Sequence, residues 1–224
     1  MKSEAAAAYR AAARPAASTP WRAARFCAID LELTGLSATR DEIISYAAIP
    51  IEGGRVVMSG AVEGRVRPVG ELHRTSIVVH GLRPRDLRDA PGLDAALDPL
   101  LAALAGAVPV VHFAEIERPF LKRALRRKGV RLRRPFVDTS VLGALWLSER
   151  DGAPPKRLAL AELAARLALP SQRPHDAGGD ALTTAQLFIA LATHLDAIES
   201  QTVRRLTTAS RRLSALRVYD TSRG

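Results

Sequence analysis

Cysteine is nearly absent from this chain of 224: Cys27 stands alone, so no internal disulfide can form. A reducing, cytoplasmic setting is therefore expected. Aromatic residues make up 4% of the sequence, which gives little material for stacking bases. No apolar run approaches the roughly 18 residues that a membrane span requires, and no membrane partner is expected. Nothing near the N-terminus reads as a secretory signal. Residues 1–24 are rich in Ala and Arg and poor in acids, as organelle transit peptides are. Glu4 and the breaks at Pro15 and Pro20 point instead to a flexible tail. Acids are short overall: 23 Asp and Glu face 33 Lys and Arg, leaving a net charge of +10. Such a balance favours polyanions and salt-sensitive binding, although an Arg- and Ala-biased composition explains part of it.

What is present is a globular composition, 47% apolar, in a chain long enough for one generous domain or a domain with a tail. Phe26–Ile29 reads as a short buried strand. Ile43–Ile51 and Arg55–Val66 read as two more, joined at Gly53-Gly54. Asp94–Leu104 has helical spacing, Val108–Val111 is a buried strand, and Ile116–Lys128 is a helix closed at Gly129. A short strand at Phe136-Val137 precedes a helix over Thr139–Leu147, and Pro154-Pro155 marks a loop. Helical patterns over Leu158–Leu167, Ala181–Leu195 and Thr202–Leu216 complete the chain. Strands first, one strand between helices, then helices: this order predicts an α/β layer with a mixed sheet. The expected division is a tail over 1–24, a domain over 25–197, and a basic helix and tail over 198–224.

Four carboxylates and one histidine stand out. In a strand, residues two apart share a face, so Asp30 and Glu32 of "FCAIDLELTG" project together. Their repulsion calls for a cation, unless the strand ends near Asp30 and both are solvated. In "VVHFAEIERPFL", three, four and seven residues on from Glu117 come Phe120, Leu121 and Ala124, an apolar stripe. The same steps from Glu115 meet Arg118, Pro119 and Lys122. Glu117 therefore points inward from a first helical turn and Glu115 outward. Complementing the helix dipole is the alternative role for Glu117. In "RPHDAGGDALTTAQLFIAL", Asp180 adjoins the apolar face of a helix. Gly178-Gly179 places His175 in the loop leading in, and Asp176 or Asp180 could simply cap that helix.

Together these segments resemble the DEDDh family of 3′–5′ exonucleases, which includes the proofreading epsilon subunit of bacterial DNA polymerase III. Its D-x-E-T-T-G motif is similar to Asp30–Gly35, its H-G-I element to His80-Gly81-Leu82, and its second motif to His112–Leu121. Its D-T-L element resembles Asp138-Thr139-Ser140, and its H-x-A-L-x-D-A motif resembles His175–Ala181. Leu33 departs from threonine, Phe113 from asparagine, Gly178 from leucine, and Glu117 from aspartate. The resemblance implies a ribonuclease H-like three-layer α/β fold, a mixed sheet flanked by helices. It also implies two Mg²⁺ or Mn²⁺ ions on Asp30, Glu32, Glu117 and Asp180, clamping a scissile phosphate, with His175 as general base. Leu33, Thr34, Gly35 and His80 would line the pocket for the terminal nucleotide. The implied partners are 3′ ends of single-stranded DNA or RNA, and a DNA polymerase. An exoribonuclease of the oligoribonuclease or ribonuclease T kind, or a non-catalytic binding module weakened at Glu117, are the other readings.

Basic residues concentrate in Lys122–Arg134, eight of thirteen, and recur as Arg204-Arg205 and Arg211-Arg212. Such runs are solvated faces more often than binding surfaces, and the first is the better candidate for guiding a phosphate backbone.

Overall fold

The computed structural model describes residues 3–132, 135–152, 156–170 and 175–214. Pro154-Pro155, Arg133, Arg134 and Leu216 lie outside them, as do the side chains of Arg211 and Arg212. In chain order the elements begin with α1 (Glu4–Ala11), a 3₁₀ turn (Trp21–Ala23), β1 (Phe26–Leu33), β2 (Ile43–Glu52) and β3 (Arg55–Val56). A second 3₁₀ turn (Met58–Gly60), β4 (Val62–Arg65), α2 (Arg74–His80), α3 (Pro84–Leu87) and α4 (Leu93–Leu104) follow. The remainder is β5 (Val108–Val111), α5 (Ala114–Arg127), β6 (Val137–Asp138), α6 (Thr139–Asp151), α7 (Leu160–Arg166), α8 (Ala177–Ile198) and α9 (Val203–Ser214).

β1 is the centre of the sheet, whose order is β3-β2-β1-β5-β6, with β4 also on β2. It pairs antiparallel with β2 and parallel with β5, and β5 pairs parallel with β6. Its alternation feeds two cores. Cys27, Ile29, Leu31 and Leu33 pack with residues of α1, α4 and α5 on one face. Phe26 and Ala28 pack with α6, α7, α8 and α9 on the other. A central strand buried on both sides is the expected outcome for such an unbroken apolar run. This is the ribonuclease H-like three-layer α/β arrangement.

Several boundaries differ from the sequence expectation. The strand expected over Arg55–Val66 is two short strands separated by the Met58–Gly60 turn. Opposite them in β2 is Pro50, which has no N–H to offer; only its carbonyl is used, by the Val57 N–H at 2.9 Å. α8 starts at Ala177, so Gly178 and Gly179 lie within its first turn and Asp180 is a helical residue. Packing overrides the weak helix preference of that glycine pair. α8 is also long and apolar enough to cross a membrane by composition, but it is a core helix whose Ala181, Ala185, Phe188 and Leu191 are fully buried.

Where a flexible tail is expected, α1 is capped by the Ser3 hydroxyl and buries Ala6 and Tyr9 against α4. Trp21 is 2% exposed and meets Phe188 edge-on at 5.9 Å. Two or three apolar side chains in an Ala/Arg background leave little periodicity to read, yet suffice once a groove receives them. α2 and α3, short and mostly exposed, carry no sequence pattern either.

Gly64 faces Tyr46 across β2 and β4. A Cβ there would lie 2.5 Å from the tyrosine ring, which is 1% exposed and held by its hydroxyl donating to the Ala96 carbonyl. The ring cannot retreat, so Gly64→Ala should lower unfolding free energy by about 1–3 kcal/mol. Urea titration would read this as a reduced midpoint with an unchanged slope; an unshifted midpoint would contradict it.

Candidate active site

β1 changes character along one face. Phe26 and Ala28 are apolar, and the next two residues on that face are Asp30 and Glu32. Both acids lie inside the strand, paired with Ala47 and Ser45 of β2, so the alternative of an early strand end is removed. Pairing with β5 stops at Ala28, leaving the far end of β1 open on that side. α8 lies over this face and brings Asp180 from its first turn. Ligand oxygens of Asp30, Glu32 and Asp180 all lie within 4.8 Å of one another.

Glu117 enters from α5. It is 6% exposed, points inward as its spacing predicts, and a backbone hydrogen bond at Leu31 ties it to β1. Its Oε2 is buried with no hydrogen-bond partner. Burial raises the Glu117 carboxyl well above the usual carboxylate range, and the Asp30 and Glu32 charges add to this. Asp30 is raised in the same way, by burial first and then by Glu32, Asp180 and Asp176. Burial lifts Glu32 to about 7, helped by the Asp180 and Asp176 carboxylates, and lifts Asp180 as well. An orphaned carboxylate oxygen beside three converging acids is a donor set that hard divalent cations match.

Two further groups complete a cleft of about 300 Å³ bordered by Glu32, Glu63, Arg65, His80, Leu82 and His175. His175 sits in the turn before α8 with a left-handed φ of 58°, its backbone N–H donating to Asp180 Oδ2 at 3.0 Å. Asp176 caps α8, its side chain accepting from the Gly178 N–H. His80 accepts the Leu82 N–H on Nδ1 at 3.0 Å, so Nε2 carries the proton, buried and without a partner. Burial, and then His175, lower its pKa, which keeps it neutral and a hydrogen-bond donor.

Leu33, Thr34 and Gly35 are placed differently from the pocket lining that the resemblance implies. The Leu33 side chain belongs to the core. The Thr34 hydroxyl donates to Asp41 Oδ1 and accepts the Glu42 N–H. Gly35 lies against the same Asp41 carboxylate, which a Cβ would strike at 2.6 Å. These residues anchor the loop leaving β1.

Three contributors receive no role in the sequence reading, and of them only Asp138 is matched to a motif there. Asp138 is fully buried and accepts from the Phe113, Ala114 and Ser140 N–H groups, the Ser140 hydroxyl, and Arg157 Nη2 at 3.1 Å. Arg157 also forks onto Glu115 at 2.7 and 2.9 Å and covers the Phe113 ring. This clamp seats the N-terminus of α5, and so Glu117, even though Phe113 holds a left-handed φ of 64° that asparagine adopts more readily. No periodicity links Arg157 to residues some twenty to forty positions earlier. Glu63 is the third: it occupies the space that a side chain on Gly178 would take, with its carboxylate 2.1 Å from a Cβ there. The glycine in place of leucine was its only sequence trace.

Comparison with known proteins finds similarity over most of the chain. An exonuclease family model matches residues 27–188. A DNA polymerase III subunit epsilon-like protein of Rhodobacter capsulatus is 32% identical over 184 residues, covering 81% of this chain and 25% of the relative. A DNA polymerase III PolC-type of Thermotoga maritima is 30% identical over 167 residues, 74% of this chain and 12% of the relative. The chain thus spans a quarter or less of the length of these two relatives. Among solved structures, exonuclease X in complex with 5′ overhanging duplex DNA superimposes with a TM-score of 0.62 at 20% identity. That match covers 83% of this chain and 98% of the other. Escherichia coli exonuclease I in complex with a dT13 oligonucleotide gives 0.67 at 14% identity, over 78% and 42% of the two chains.

The raised carboxyls set a pH dependence. A folded-state pKa above the unfolded one stabilises at low pH, and that contribution is lost as pH rises through the folded value, about 7 for Glu32. His112 acts oppositely. Burial pushes it down to about 4 from 6.5, against the opposing pull of Asp138 and the Leu158 carbonyl, so its contribution is lost as pH falls below 6.5. In EDTA, Tm should fall between about pH 6.5 and 8, where Glu32 titrates and His112 is already neutral. Excess Mn²⁺ should remove that decline. A metal-free Tm rising across the window would contradict it.

Proposed function

The chain belongs to the exonuclease family, and on that premise we propose that it is a metal-dependent 3′–5′ exonuclease. It would release 5′-mononucleotides from single-stranded or frayed 3′ ends, DNA in preference to RNA, in the cytoplasm. The observation that carries this reading is the convergence of Asp30, Glu32 and Asp180 beside the buried, unpartnered oxygen of Glu117. Similarity to DNA polymerase III sequences makes a polymerase a fitting partner.

Two divalent cations, Mg²⁺ or Mn²⁺, held by these four carboxylates would supply charge stabilisation to the phosphate oxygens. The chain's own groups do the rest. The His175 imidazole accepts the proton of the attacking water. As the water oxygen bonds to phosphorus the P–O3′ bond breaks, and the departing O3′ takes a proton from solvent, so the shortened strand ends in a 3′-hydroxyl. His80 Nε2–H, otherwise unpartnered, donates to the terminal nucleotide. Thr34 and Gly35 hold the loop leaving β1 at Asp41, while Leu33 packs into the core behind it. A second reading, an exoribonuclease of the oligoribonuclease kind, is favoured by Leu33 in the first motif.

Incubation with 5′-labelled DNA or RNA strands in Mg²⁺, Mn²⁺ or EDTA should give a ladder shortening from the 3′ end, with metal only. The preferred polymer decides between the two readings, and binding without degradation in any metal would leave a non-catalytic module. Asp30→Ala and Asp180→Ala should abolish the ladder. His175→Ala should slow it about 10²–10⁴-fold while Mn²⁺ still raises Tm. Glu117→Gln removes a charge that burial opposes, so it should raise metal-free Tm while lowering the rate. An unchanged rate in Asp30→Ala would overturn the site.

A further inference from the structure

α5 carries its cations on two flanks with different fates. On one flank Arg127 forks onto Asp94 at 2.8 and 3.1 Å, Lys128 meets Asp98 at 2.8 Å, and Arg123 donates to the Asp41 carbonyl. These three tie the helix to the body. On the other, Arg118, Lys122 and Arg126 recur every fourth residue and, with Arg131 and the buried Leu132, line an open groove of about 450 Å³. Among the described residues no carboxylate partners any of these four, all of them exposed. The two acids of α5 are committed elsewhere: Glu115 to Arg157, and Glu117 to the interior.

We propose that this groove is a track for the phosphodiester backbone of the same nucleic acid whose 3′ end enters the acidic site. Four unneutralised cations around one concavity repel each other, and a polyanion relieves that repulsion while releasing its own counterions. Fourth-residue spacing sets the three helical cations about 6 Å apart along about 12 Å of axis, a linear array suited to a linear polyanion. Among the described residues no aromatic ring lines the groove, and Phe136 lies under the Arg118 guanidinium at 5.8 Å. It would therefore hold the backbone irrespective of sequence. Arg118 directly follows Glu117, so one helix end serves both the acidic site and the start of the track. The choice of nucleic acid over an acidic polypeptide rests on the exonuclease reading; the anion-binding character of the groove does not.

The test is equilibrium binding in EDTA, without hydrolysis, of 5′-fluorescein-labelled oligothymidylate, either long or only two nucleotides, across a salt series. The double variant Lys122→Glu/Arg126→Glu should bind the long strand at least tenfold more weakly at low salt. Its plot of log Kd against log salt should be shallower by about 1.4 or more, the share of two lost phosphate contacts on a single strand. Dinucleotide affinity should match that of the original chain. Arg204→Glu/Arg205→Glu makes the same change of net charge on α9 and should have the smaller effect. Equal losses in the two variants, or an unchanged salt slope, would overturn the proposal. So would a groove variant that binds DNA normally but loses poly-glutamate, which would assign the groove to an acidic polypeptide. Because no cleavage is read, a chain that binds as expected yet degrades nothing would sink the exonuclease reading alone.

Discussion

Mutual repulsion of carboxylates at one end of β1 is the constraint around which this molecule is organised. Asp30 and Glu32 share a face, Asp180 descends on them from α8, and Glu117 is pressed in from α5 with one oxygen unanswered. Left to themselves, four such groups would separate or take up protons; burial raises the pKa of each, and neighbouring carboxylates add to the rise. They stay together because everything that carries them is anchored away from the site. Asp30 and Glu32 are held in the β1–β2 ladder, α8 by an apolar face buried along most of its length, and α5 by the Asp138–Arg157 clamp.

That clamp shows how a second buried charge can be stabilising in the same neighbourhood. Asp138 is fully buried, yet each oxygen is saturated by N–H and O–H donors and by Arg157. Glu117, a few residues further along α5, is buried with little but like charges for company. The contrast separates a structural carboxylate from one arranged to receive something: satisfied groups stabilise the fold, and unsatisfied ones mark where a ligand belongs.

The same division of labour runs through the histidines and the arginines. His112 is sequestered between Thr139 and the Leu158 carbonyl as a neutral strut, whereas His80 and His175 face the cleft. Arg123, Arg127 and Lys128 brace α5, whereas Arg118, Lys122 and Arg126 face open space. In each set, residue type alone does not say which member is structural; the presence or absence of a partner does.

Much was determined by sequence alone. Strand alternation put Asp30 and Glu32 on one face, helical spacing turned Glu117 in and Glu115 out, and the order of elements predicted the mixed sheet. These are local rules, with periods of 2 and 3.6 that no distant contact needs to supply. Tertiary structure decided what depends on residues far apart in the chain. It docked the Ala-rich α1 on α4, broke the expected long strand opposite Pro50, and drew Gly178 and Gly179 into a helix. It also turned Thr34 and Gly35 to Asp41, brought Arg157 to Asp138, and set Glu63 over Gly178. Those pairings leave no periodic trace in either partner, because burial and hydrogen bonding are satisfied between segments and only the folded chain brings the segments together.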